Sequence, residues 1–159
     1  ISFYLSNQYV DNTLYKTNML GFAYNIVKDS FLLKTEFAHF DNYDSDIVKS
    51  KTDALVGVEY NGISDGTISL EIANKDKDIQ YALRFTQSYI NQTLDFTALV
   101  SGYGKEFDDG GFTRVWSDYA YNDSINLSFG FIDYFGGDST KFEMIKNNDR
   151  VFTTVKYSF

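Results

Sequence analysis

A chain of 159 residues with 43% apolar residues is sized for one domain and too apolar for a solvated coil. Its net charge of −8 argues against nucleic acid and against anionic headgroups as electrostatic partners, since both require a basic face. With no Cys there are no disulfides, thiolate metal sites or cysteine nucleophiles, and no run of 18 apolar residues is present to form a transmembrane helix.

The dominant pattern is alternation, the period of a half-buried strand. The opening "ISFYLSNQYV" reads as a strand and lacks the basic and apolar regions of a signal peptide. It begins without Met, so further residues are expected upstream. In "MLGFAYNIV", Leu20, Phe22, Tyr24 and Ile26 oppose Gly21, Ala23 and Asn25. In "FLLKTEFAHF", Phe31, Leu33 and Phe37 oppose Lys34 and Glu36. In "TDALVGVEY", Ala54, Val56, Val58 and Tyr60 alternate with Leu55, Gly57 and Glu59. Ile68, Leu70 and Ile72 then alternate with Ser69 and Glu71, and Tyr81, Leu83 and Phe85 with Ala82, Arg84 and Thr86. Leu94, Phe96, Ala98 and Val100 alternate with Asp95, Thr97, Leu99 and Ser101. After "FTRVWSDYAY", Ile125, Leu127, Phe129 and Phe131 alternate with Asn126, Ser128 and Gly130. In the last segment Val151, Thr153, Val155, Tyr157 and Phe159 share a face opposite Arg150, Phe152, Thr154, Lys156 and Ser158.

This makes about ten strands of roughly ten residues, longer than a usual globular strand and matched to a tilted bilayer crossing. The absence of Pro fits a chain held in ladders, where Pro cannot donate. No helical period competes over a long window. The connections alternate in kind. "VKDSF", "NGISDGT", "INQT" and "YNDSI" are tight. "DNYDSDIVKSK", "NKDKD", "GKEFDDGG" and "GGDSTKFEMIKNND" are longer and acidic, with "DNT" the short exception. Short turns at one end and long loops at the other are the asymmetry of outer-membrane barrels.

Period 2 alone leaves two inverse readings open. In a soluble all-β binding domain the apolar face is the core. In a membrane barrel the apolar face meets lipid and the polar face lines the lumen. The polar face here is rich in small residues and carries charges of both signs: Lys34, Glu36, Glu59, Glu71, Arg84, Asp95, Arg114, Asp118, Arg150 and Lys156. Aromatics sit near the strand ends at Tyr60, Tyr81, Tyr89, Tyr119, Tyr121 and Phe159, like an interfacial girdle. The chain also stops on Phe159 inside a strand pattern. These features favour an all-β fold, an antiparallel up-and-down transmembrane β-barrel with about ten strands visible. Residues 1–159 are read as a single β-barrel domain, the C-terminal portion of a longer chain and part of a larger barrel.

The closing "RVFTTVKYSF" resembles the C-terminal β-signal of Gram-negative outer-membrane proteins, alternating apolar residues ending in aromatic-x-Phe; Val155, Tyr157 and Phe159 match it. The last third is similar to the end of porin-like and alginate-export-like barrels. Gly130, Tyr134, Gly136 and Gly137 fit a Gly-x-x-x-Tyr-x-Gly-Gly segment, and Asn148 and Asp149 an Asn-Asp before the last strand. The resemblance implies an integral outer-membrane location and insertion by the barrel-assembly machinery. It also implies pairing of the last strand with the first, and passage of small solutes without catalysis.

Partners on this reading are outer-membrane lipid and either further copies of the chain or other envelope proteins. An occluded structural barrel within an envelope assembly is the alternative function. Cofactors are not implied. Ten strands could also close alone, as in omptin proteases, whose chemistry needs a His–Asp pair. The single histidine, His39, lies near Asp41 and Asp44 and reads as an interfacial polar residue. One histidine supports neither a Ser-His-Asp triad nor a His metal cluster. Asp41, Asp44 and Asp46, or Glu106, Asp108 and Asp109 beside Gly110, offer oxygens for a hard cation without EF-hand spacing and read as solvated loop tips. "GGFT" and "FGGD" read as loop glycines with no helix after them, hence no phosphate cradle. The ten charges above either tune selectivity or pair to brace a narrow lumen. Trp116 reads as lumen filling, with a sugar-stacking platform as the alternative.

Overall fold

The computed structural model describes residues 1–9, 16–41, 50–75 and 78–159. They form β1 Ser2–Tyr9, β2 Lys16–Lys28, β3 Phe31–Asp41, β4 Ser50–Ile63 and β5 Gly66–Lys75, then β6 Asp78–Tyr89, β7 Leu94–Tyr103, β8 Gly110–Ala120, β9 Ile125–Phe135, α1 Thr140–Ile145 and β10 Arg150–Tyr157. The ten strands lie in one sheet in sequence order, each antiparallel to the next. β1 and β10 are its edges, so the all-β up-and-down meander is as expected, while the sheet is open rather than closed.

The tight connections have local causes. Asp29 and Asp65 take positive φ (54° each) in two-residue links between β2 and β3 and between β4 and β5, a conformation that Asp tolerates. The β8–β9 turn is held by Asn122, whose side-chain oxygen accepts from the backbone N–H groups of Ser124 (2.9 Å) and Ile125 (2.8 Å). The β6–β7 turn is less conventional, with Ile90, Asn91 and Gln92 all at positive φ.

Three expectations need correction. The β5–β6 connection, "NKDKD", spans only residues 76–77 between its strands, so it is no longer than the turns at the other end. Gly110 and Gly111 of "GGFT" both lie in β8 rather than in a loop. α1 follows "FGGD"; its six residues escape any search for helical period over a long window. The "DNT" turn lies outside the described residues.

In β5 and β9 burial runs opposite to hydropathy. In β5, Ile68, Leu70 and Ile72 are exposed while Thr67, Ser69, Glu71 and Ala73 are half-buried. In β9, Leu127, Phe129, Phe131 and Phe135 are exposed, Asn126, Ser128, Ile132 and Tyr134 are half-buried and Gly130 is buried. No large apolar side chain is buried among the described residues. The sheet crowds its polar face and opens its apolar one, the inverse of a water-soluble sandwich.

Candidate functional site

The crowded polar face is the candidate site. Strand register brings all ten predicted charged residues onto it. One row of directly paired residues runs Leu32–Glu59–Ser69–Arg84–Leu99–Arg114–Ile132–Arg150. From β4 onwards a charge stands on every second strand, so neighbouring charges lie about 10 Å apart. Small or aliphatic residues fill the places between them. Lys34 and Glu71 occupy the next row, on either side of Gly57. Lys156 pairs with Asn126 near the tight-turn end.

Among the described residues, one ion pair joins two of these ten. Lys34 Nζ donates to Glu59 Oε2 at 3.1 Å. Asn61 Nδ2 donates to Glu59 Oε1 at 3.1 Å, and Thr67 Oγ1 in turn donates to Asn61 Oδ1 at 2.7 Å. Glu59 is therefore fixed by groups from β3, β4 and, through Asn61, β5. Asp95 and Asp118 face each other across β7 and β8, a like-charged pair. Each is held from its outer side by a hydroxyl, Ser88 Oγ on Asp95 and Ser128 Oγ on Asp118, both at 2.5 Å.

Arg114 is held against two aromatic rings. Its guanidinium lies 4.5 Å from the Trp116 ring and 5.0 Å from the Phe152 ring, within cation–π range of both. Its Nε is buried with no hydrogen-bond partner among the described residues. Gly130 stands between the two rings in the paired row Trp116–Gly130–Phe152. A Cβ there would come within 2.6 Å of Trp116 Cβ and 2.7 Å of Phe152 Cζ, so the glycine is what lets both rings reach Arg114. Trp116 thus packs on the polar face against Arg114.

At the long-loop end, α1 folds over the polar face. Phe142 packs against Tyr103 at 4.8 Å between ring centroids, and a Cβ on Gly110 would meet Phe142 Cβ at 2.7 Å. Tyr103 and Gly110 are paired on the polar face. The loop after β7 joins this cover, with Asp138 N–H donating to the Asp108 carbonyl at 2.7 Å. Asp149 accepts from the Tyr134 backbone N–H at 3.0 Å, tying the start of β10 to the end of β9. The Gly-Gly and Asn-Asp segments singled out in the sequence thus frame this cover.

Lys51 and Asp53 were not predicted, yet they share the polar face and form an ion pair at 3.2 Å. Continuing the β4 alternation backwards from Glu59 through Leu55 would have found them. His39 lies on the apolar face, paired with Leu20 and Thr52. It contacts Asp41 at 3.3 Å and Thr52 Oγ1 at 2.8 Å, away from the polar face. Asp44 and Asp46 lie outside the described residues. Among those described, no three His, Asp or Glu side chains are grouped to hold a metal ion. Val155 and Tyr157 lie on the apolar face of β10 and are exposed; Phe159 follows the strand with its ring 6.3 Å from that of Tyr157.

Comparison with protein-family models, with curated proteins and with solved structures returned no match.

Proposed function

We propose that this chain is an integral outer-membrane β-barrel whose charged face lines a water-filled path for small solutes, without catalysis. The observation that carries this reading is the inverted burial. An apolar face this extensive, from Phe22 through Leu70 to Val155, is a severe liability in water and is satisfied by hydrocarbon. Six of the ten charges, Lys34, Glu59, Glu71, Asp95, Arg114 and Asp118, are half-buried on the opposite face, as suits a wet lumen lined by charge. Strand lengths of 8–14 residues and the aromatic ends at Phe31–Tyr60 and Tyr157–Phe159 agree with it.

The test is refolding into lipid vesicles, followed by flotation and single-channel recording in planar bilayers. Flotation with a salt-dependent conductance is expected. A chain that stays folded and soluble without detergent overturns the membrane reading. A second reading is favoured by the α1 cover and by the Arg114 cluster. These would occlude the lumen and leave a structural barrel that floats with vesicles and conducts nothing.

A further inference from the structure

We infer that the loop between β7 and β8 is a clamp across the rim of the sheet, which holds the α1 cover shut from the apolar face and makes that cover a releasable gate. The gate rests on the membrane reading above. The clamp rests on contacts alone.

The loop, residues 104–109, grips both faces at once. On the apolar face the Phe107 ring stacks on Tyr81, with centroids 4.2 Å apart and planes 23° from parallel. Gly102 leaves room for it, since a Cβ there would meet Phe107 Cδ1 at 2.5 Å. Tyr81 Oη also donates to the Lys105 carbonyl at 3.1 Å. Tyr81 and Gly102 are directly paired and share their face with the paired, exposed Leu83 and Val100. On the polar face the residue after Phe107 takes over, and the Asp108 carbonyl accepts the Asp138 N–H at 2.7 Å. The Gly137 backbone lies against the same segment, where a Cβ would meet the Asp108 carbonyl oxygen at 2.3 Å and Gly110 N at 2.2 Å. The footing of the cover is therefore the backbone of residues 108–110.

The two grips belong to adjacent residues, so they move together. Phe107 stands at φ 63°, a left-handed conformation that an aromatic residue rarely takes. The stack on Tyr81 holds it there. Turning Phe107 to an ordinary φ would swing the ring off Tyr81 and redirect the Asp108 carbonyl away from Asp138. The cover has little of its own to resist this. α1 has six residues, none of them buried, and a helix that short does not persist in water unaided. Segments with so few buried contacts open first. Phe107 is itself 57% exposed at the rim of the apolar face, so lipid packing around it bears directly on the stack.

The test uses the full chain folded in detergent and read by hydrogen exchange. An aromatic pair of this kind biases an equilibrium by about two- to twelvefold. Phe107→Ala should speed exchange of the Asp138 amide, on the other face, by about that factor, with β3 amides unchanged. Linkage makes the effect reciprocal. Phe142→Ala, made on the polar face, should speed the Gly104 amide, which donates to the Ile79 carbonyl on the β6 side at 2.9 Å. Tyr81→Phe keeps the ring, removes the bond to Lys105 and gives a smaller acceleration at Asp138; it carries the test if Phe107→Ala does not fold. Acceleration confined to the altered face overturns the clamp. In planar bilayers Phe107→Ala should raise the open fraction by the same factor. A variant whose Asp138 amide exchanges faster but which passes no more current than its parent overturns the gate. Flotation is read on the same samples. Protein that shows reciprocal acceleration but does not float keeps the clamp and sinks the membrane reading.

Discussion

Replacing Leu70 with Arg separates lipid from water as the neighbour of the apolar face. Leu70 is 43% exposed and is the fifth of the ten residues of β5. At a tilt of about 40° each residue advances about 2.6 Å along the barrel axis. The strand then spans about 26 Å, close to the apolar band of a membrane barrel. Leu70 falls near its midplane, where an Arg on the lipid face costs about 2–4 kcal/mol. With a urea slope of about 2 kcal/mol per molar, the unfolding midpoint in vesicles drops by about 1–2 M. Ser69→Arg, one residue away on the crowded polar face, should cost less than about 1 kcal/mol, because lumen positions stay hydrated. If the apolar face met water, Leu70→Arg would stay within about 0.5 kcal/mol of the parent. That outcome, or a Ser69→Arg penalty larger than that of Leu70→Arg, refutes the inverted reading.

Gly130→Ala should destabilise by about 1–3 kcal/mol, measured by the same titration, since its Cβ would press on the Val115 carbonyl at 2.5 Å as well as on both rings. Gly57→Ala is the comparison, because its closest contact is the flexible Glu71 Cγ at 3.0 Å, and an equal loss at both sites would contradict the argument. Trp116 is the only tryptophan, so in vesicles its fluorescence should be quenched by aqueous iodide and not by brominated lipid chains; quenching from the lipid side would put the polar face outward. Ile90→Asn should raise stability by about 1 kcal/mol, because a β-branched residue at φ 52° carries a left-handed cost that Asn largely escapes; no gain would mean that the turn relaxes in solution.

The strands were legible in the sequence because period 2 is local: each of the ten segments announces its own two faces. Register follows nearly as directly, since Asp29, Asp65 and Asn122 set the turns and the turns set the pairings. Polar-face membership of the ten charges was therefore readable one strand at a time. What could not be read was anything set between strands. The enclosure of Arg114 needs Trp116 from its own strand, Phe152 two strands away and Gly130 between them. Nothing in "RVWSD" alone signals that the guanidinium will meet two rings. α1 was missed for a different reason. Six residues give fewer than two turns of periodicity, and what holds them is the Phe142–Tyr103 contact rather than helix propensity. Lys51 and Asp53 were within reach of the same alternation that found Glu59, and were passed over at the border of an acidic loop.

The sheet order has a consequence for how such a molecule can change over evolutionary time. Every strand touches only the strands before and after it in the chain, so the architecture is a list of hairpins rather than a web. Removing or duplicating one hairpin disturbs two neighbours and leaves every other pairing intact, as in repeat proteins with nearest-neighbour energetics. A lineage can therefore widen or narrow the sheet in steps of two strands by copying or losing the DNA of one hairpin, with no core to redesign.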